Sequence, residues 1–323
     1  MHTWRKASVM MKSPIALTIG NFDGVHLGHQ AILARLKANA NRLSLPACAM
    51  IFEPQPCEFF MPDHAPARLT SLRQKLGYLI QTGIDCVYVC RFNAEFSRTS
   101  PEQFIADILQ RQLSVHWLLV GEDFRFGARR AGDISMLRAH SSAHGFSVDV
   151  MSSIMLDGKR VSSTAIRQAL TFGDLETARK LLGRPYCIGG RVVDGDKIGK
   201  KIGFPTANIQ LKQNRPPLTG IFVVSVRGAL ASSPTQPLPA VASLGVRPTT
   251  HKNGAPVLEV HLLDFNQNIY GQYLQVEFLH KLRDEEKFTD LTALIRQIER
   301  DVAQTKDYFM ASPLHSSGML STV

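Results

Sequence analysis

Short apolar runs alternate with helical apolar spacing through the first half of the chain, and that alternation predicts its elements. Ile15 to Ile19, Ala47 to Phe52, Asp85 to Cys90, His116 to Val120 and Phe146 to Met151 read as strands. Each is long enough for a buried strand and is bounded by polar or glycine-bearing turns. Helical spacing falls between them: Leu27, Ile32, Leu33 and Leu36, then residues 70–82, a helix opened by Ser100-Pro101, and a stretch between Asp133 and Ala143. Strands that alternate with helices predict an α/β doubly wound parallel sheet, whose ligands bind beyond the strands' carboxyl ends. Leu175 to Leu182 reads as a further helix, ended by Gly183.

After Arg184-Pro185 the pattern changes. Residues 187–193, 207–211, 221–226, 238–244, 257–263 and 274–279 are strand-like runs without intervening helices, which predicts a six-stranded antiparallel β-barrel. A C-terminal helix follows, with Leu291, Leu294, Ile295, Ile298 and Val302 on one face. The expected organisation is therefore residues 1–183, residues 184–312, and a flexible tail at 313–323.

Composition narrows the class. The chain has 323 residues, 44% hydrophobic and 20% charged, which suits two globular domains. No apolar run reaches the roughly 20 residues of a membrane span. The N-terminus lacks the apolar segment and cleavage site of a secretory signal, so a cytoplasmic, membrane-free protein is expected. Five cysteines without CxxC spacing read as reduced thiols. The formal charge of +10 is spread along the chain without a basic run, which favours nucleotide chemistry over nucleic-acid binding. The oligomeric state is not encoded in any of these features.

The candidate chemistry lies in two places. Gly20, Asn21, Phe22, Asp23 and Gly24 link the first strand to a helix that starts near His26, and Gly28 separates His26 from His29. A glycine loop feeding a helix N-terminus suits a phosphate. On the residues alone, His26 and His29 are equally a metal pair lacking a third ligand or polar decoration of a helix start. Ser162-Ser163-Thr164 before an apolar run reads as an N-cap. In the second half, GFPTAN, residues 203–208, reads as a proline turn into a strand, and Glu259 as an outward strand residue.

The run GNFDGVHLGH resembles the HxGH nucleotidyltransferases, and more closely the bacterial bifunctional riboflavin kinase/FAD synthetase family. FEPQP, GEDFRFG, SSTAIR, GFPTAN and LEVHLLDF extend the resemblance in order. It implies phosphorylation of riboflavin to FMN by ATP, then adenylylation of FMN to FAD with release of pyrophosphate. FMN and FAD would be substrate and product rather than prosthetic groups. The resemblance implies ATP phosphate binding by His26, His29, Gly20, Phe22, Asp23, Gly28, Ser162, Ser163, Thr164 and Arg167, and in the second half by Gly199 and Lys201. It also implies a flavin side at Asp123, Phe124, Arg125 and Arg283, Mg2+ held with ATP by Thr206 and Asn208, and Glu259 as the base. Three positions depart from the family's usual residues: Lys201 replaces Arg, Ser243 replaces Asn, and Asp284 replaces Pro. The rival readings are another HxGH nucleotidyltransferase with the barrel as an appendage, and a nonenzymatic nucleic-acid-binding or flavin-sensing module with degenerate sites.

Overall fold

A computed structural model describes residues 13–195, 199, 202–211, 215–246 and 256–311. Lys201 and the expected tail at 313–323 lie outside the described residues. The chain forms two compact units, residues 1–66 with 72–163, and residues 67–71 with 164–323.

In the first unit, β1 (Ile15–Ile19), β2 (Ala47–Glu53), β3 (Cys86–Arg91), β4 (Val115–Gly121) and β5 (Ser147–Met151) form a sheet of order β3-β2-β1-β4-β5, and β6 (Met155–Leu156) with β7 (Lys159–Arg160) makes a short separate hairpin. Every pairing in the five-stranded sheet is parallel. Both faces are covered, which is why these strands are continuous apolar runs. Leu17, Met50 and Leu118 pack on one side with Phe104, Ile105 and Leu109. Ala16, Ile51 and Trp117 pack on the other with Leu33 and Leu36 of α1 (Leu27–Arg42) and with Leu76 and Leu79 of the helix Leu72–Gln81. The helix predicted behind Ser100 begins at Pro101, capped by Ser100 Oγ, and continues at π-helical spacing over Phe104–Gln112.

The five cysteines are free. Burial pushes the Cys90 thiol up to about 12, so it stays protonated and packs as an apolar group.

The second unit is a closed antiparallel barrel of β8 (Tyr186–Val193), β9 (Ala207–Gln210), β10 (Gly220–Arg227), β11 (Leu238–Val246), β12 (Pro256–Leu262) and β13 (Tyr273–Arg283). Around the closure the order is β10-β11-β12-β9-β8-β13. Leu258 and Val260 of β12, Val224 and Val226 of β10, and Val276 of β13 fill the interior. The helix Leu175–Leu182 packs its buried Leu175, Ala178, Leu181 and Leu182 in this unit, against β8 and β13. The C-terminal helix spans Leu291–Ala311. Its apolar stripe is not fully buried as its periodicity predicts: Leu291 is exposed, while Leu294, Ile298 and Val302 are half-buried and line a cleft. The last barrel strand also runs to Arg283, several residues beyond its apolar run, because its end pairs with β10 through backbone bonds that need no apolar side chains.

Candidate active sites

In a sheet of order β3-β2-β1-β4-β5 the connections diverge between β1 and β4, and a crevice opens at their carboxyl ends. A cleft of about 270 Å3 lies there, lined by Gly20 after β1, Gly121 and Glu122 at the end of β4, and Ser152 and Ser153 after β5. The loop after β1 is a tight one, with Phe22, Gly24 and Val25 all at positive φ (46°, 84° and 42°). Side chains rarely adopt that conformation. Burial of Phe22 and Val25 holds them in it. Gly20 lets the Phe22 ring lie close, since a Cβ there would stand 3.1 Å from it and push it back by a few tenths of an ångström.

His26 is the N-cap of α1, and its Nδ1 accepts a hydrogen bond from the His29 backbone N–H at 3.3 Å. That bond occupies the Nδ1 lone pair, so the neutral ring carries its proton on Nε2 and is a donor there. The two imidazoles stack, with centroids 3.6 Å apart and planes 17° from parallel. Phe22 packs behind His29 at 5.0 Å. Both histidines, Phe22 and Gly28 line the cleft. Stacked rings at the N-terminus of a 16-residue helix place N–H donors and the positive end of the dipole at one point.

Ser162 lines the same cleft, and Ser163 Oγ donates to the Asp23 carbonyl at 2.9 Å, fastening this strap to the glycine loop. Asp23 itself is buried and is not among the lining residues. Thr164 and Arg167 lie on the helix Ser163–Thr171 beyond the unit boundary, where Arg167 Nε donates to the Ala67 carbonyl at 2.6 Å.

Asp123 and Phe124 line the cleft, whereas Arg125 is exposed and pairs with Asp133 at 3.3 Å. Asp123 is bonded to Arg160 at 2.5 Å, and Arg160 lines the cleft too. Hydrogen bonds from Ser153 hold the Glu122 carboxyl below its ordinary value. Sequence reasoning missed Arg160, although it stands two residues before Ser162. It also missed a chain of ring contacts that runs from Phe124 through Phe126, Phe104 and Phe96 to Phe92 and the exposed Phe60. Phenylalanines scattered between residues 52 and 126 carry no common period that would reveal it.

The barrel has its cleft on the outside. Inward Leu258 and Val260 leave Glu259 and His261 on the outer face, as the alternation predicts, but that face is not open solvent. A cleft of about 330 Å3 covers it, walled by Leu294, Ile298 and Val302 of the C-terminal helix. The register places five of its residues in one row across five adjacent strands. Asn208 of β9 faces Glu259 of β12, which faces Ser243 of β11, which faces Ile221 of β10, which faces Arg283 of β13. Followed around the curved barrel wall, four inter-strand spacings of about 4.8 Å give the row a path of roughly 19 Å.

At its β9 end lie Thr206 and Asn208. A Cβ on Gly195 would overlap the Asn208 side chain, and one on Gly199 would meet the Phe204 carbonyl and come within 3.4 Å of Thr206 Oγ1. Two glycines thus form a cradle around two neutral oxygen donors. His261 Nδ1 lies 2.8 Å from the Pro205 carbonyl, an acceptor, so it carries the proton and steadies this turn. At the β13 end, Glu285 lies over Gly245 in the space a Cβ would fill, and burial raises its carboxyl above the ordinary value. Ser243 is half-buried mid-row, and Asp284 is exposed and pairs with Lys281 at 2.6 Å. A second recess of about 350 Å3, lined by Val192, Pro205, Val260, Leu262, Asn268 and Tyr270, meets the first at Thr206.

Residues 9–165 match the FAD synthetase family and residues 182–309 the riboflavin kinase family. The chain is 49% identical over 295 residues to the bifunctional riboflavin kinase/FMN adenylyltransferase of Haemophilus influenzae, covering 91% of this chain and 94% of that protein. It is 45% identical over 293 residues to the enzyme of the same name from Escherichia coli, covering 91% and 92%. A solved structure described as a macrolide-efflux protein from Streptococcus pneumoniae superposes with a TM-score of 0.78 at 28% identity, covering 92% of this chain and 95% of that one. Among the described residues no helix is long and apolar enough to cross a membrane. With both halves matched in order and nearly the whole length shared, the chain belongs to the bifunctional riboflavin kinase/FMN adenylyltransferase family.

Proposed function

We propose that the barrel cleft phosphorylates riboflavin and that the sheet cleft converts the resulting FMN to FAD, with the residue roles as follows. The observation that carries the kinase assignment is the row from Asn208 to Arg283. It sets a carboxylate beside two oxygen donors at one end and an apolar slot at the other, which matches a molecule with a hydroxyl-bearing chain on a flat ring. The ribityl chain lies toward Glu259 and the isoalloxazine against Leu294, Ile298 and Phe288. The nucleoside of ATP occupies the recess that meets the row at Thr206. Glu259 accepts the proton of the terminal ribityl hydroxyl as its oxygen attacks the γ-phosphorus and ADP leaves.

Thr206 and Asn208, cradled by Gly195 and Gly199, fit Mg2+, a hard cation that takes few protein oxygens and keeps water and phosphate ligands; when bound it neutralises charge on the ATP phosphates.

In the sheet cleft an oxygen of the FMN phosphate attacks the α-phosphorus of ATP, and the bond to the β-phosphate oxygen breaks to release pyrophosphate. His26 donates from Nε2, and His29 and the first amides of α1 share the developing charge. Ser162 and Ser163 hold the strap over the phosphates. Phe124, backed by the buried Phe126 and Phe104, offers the flavin ring a stacking surface. Thiols that remain free fit the reducing cytoplasm as the place of work.

The test uses two variants and chromatographic separation of riboflavin, FMN and FAD after incubation with Mg-ATP. His29→Ala should stop at FMN, with adenylyl transfer reduced about 10²–10³-fold. Glu259→Gln should lose about 10²–10⁴-fold in riboflavin phosphorylation and still make FAD from supplied FMN. Equal loss of both steps in either folded variant overturns the division of labour.

A further inference from the structure

An amphipathic helix normally buries its apolar stripe. In the C-terminal helix the stripe faces the cleft, and the fully buried side chains are Asp301 and Thr305. Asp301 is 3% exposed and meets Arg283 in a two-pronged pair: Nε to Oδ1 at 3.0 Å and Nη2 to Oδ2 at 2.8 Å. Gln297, one turn earlier, donates to Asp301 Oδ1 at 3.0 Å. Stability does not account for such a pair, because apolar residues of similar volume at a buried site do as well or better.

The guanidinium has five N–H donors. Asp301 takes two and the Asp284 carbonyl takes one at 3.1 Å, which leaves one on each terminal nitrogen. Its plane is fixed by the fork, and it lies 5.7 Å from the centre of the Phe288 ring. Its charge is cancelled by Asp301. A planar, neutralised donor at the end of the row suits an uncharged ring with carbonyl acceptors, and does not suit a phosphate.

We infer that Asp301 is a positioning residue of the kinase reaction: it fixes Arg283 so that the two remaining N–H groups meet the carbonyl edge of the flavin ring, and it ties the helix that forms the ring's other wall. This rests on the reading of the barrel cleft as the riboflavin site. The pair therefore sets riboflavin affinity, while ATP handling at the far end of the row is independent of it.

The experiment measures riboflavin binding by quenching of flavin fluorescence, the KM values for riboflavin and ATP, kcat, and Tm on the full chain. Asp301→Asn should weaken riboflavin binding and raise its KM by about 10- to 100-fold, the worth of hydrogen bonds to a charged group, with the KM for ATP unchanged. Asp301→Glu should recover part of that loss. The double variant Arg283→Met with Asp301→Leu replaces the pair by apolar side chains and should restore Tm while riboflavin binding stays weak. Restoration of both would make the pair merely structural and overturn the inference, as would unchanged riboflavin binding in Asp301→Asn. Glu259→Gln separates this from the underlying reading: it should bind riboflavin normally and fail to phosphorylate it, and if it turns over normally the cleft itself has been misassigned.

Discussion

Adding one methyl group at Gly28 tests how closely the proposed adenylyl site depends on the placement of His26. A Cβ built there stands 3.2 Å from both Cε1 and Nδ1 of His26 and 3.5 Å from the Val161 carbonyl. Carbon contacts are most favourable near 3.5–4.0 Å, so the ring must retreat by roughly 0.3–0.8 Å. The backbone gives no relief and no obstacle, because Gly28 is helical and is not at positive φ. Retreat strains the 3.3 Å bond from His29 N–H to Nδ1 and separates the stacked rings. A displacement of 1 Å can cost about 10²-fold in rate, so about tenfold is expected for Gly28→Ala in FAD formation from FMN. Helix propensity acts the other way, by less in this first turn than the about 0.5–1 kcal/mol that a glycine-to-alanine change brings in a helix interior. The variant should thus be no less stable than wild type, slower in adenylyl transfer, and unchanged in riboflavin phosphorylation. Assaying each step with its own substrate, beside a thermal melt, reads all three. A folded variant with undiminished FAD formation would show that the placement of the His26 ring does not matter to the reaction.

Two further expectations concern folding. A fragment starting at residue 164 should fold and phosphorylate riboflavin better than one starting at residue 184, because the latter lacks Leu175, Ala178, Leu181 and Leu182, which together represent several kcal/mol of burial; equal melting temperatures would refute this. Partial burial tends to raise the Asp85 carboxyl, but hydrogen bonds from Lys37 and from the Ala47 N–H outweigh it and hold the carboxyl below its ordinary value. A group depressed on folding stabilises above its unfolded pKa and loses that contribution as pH falls through the folded one. Asp85→Asn should therefore cost about 0.5–1 kcal/mol near neutral pH, the scale of a partly exposed pair, and in denaturant titrations the difference should shrink as pH falls below the ordinary carboxylate range.

The fold was legible because each half keeps one hydrophobic period over many elements. Strand ends were less so: backbone pairing carries β13 to Arg283, where side chains no longer alternate. His26, His29 and Ser162 could be placed because one loop and one strap hold them in sequence order around a strand's end. Arg160 could not, since its meeting with Asp123 spans 37 residues and leaves no local pattern. Glu259 looked ordinary for a physical reason: an outward strand residue has the same periodicity whether water or a helix stands opposite. What encloses it in a cleft is the C-terminal helix, whose unburied stripe looked in sequence like any core-facing face.

The arrangement of β12 also bears on how faithfully the barrel assembles. A pairing slip of one residue would exchange its two faces, sending Glu259 and His261 into an interior built for Leu258 and Val260. A carboxylate in that interior would have no water and no counter-charge, so the slipped barrel would be strongly disfavoured. The residue proposed for proton transfer thus discriminates between right and wrong strand pairings before any substrate is present, and replacing it by an apolar side chain would remove a safeguard of assembly together with the proposed base.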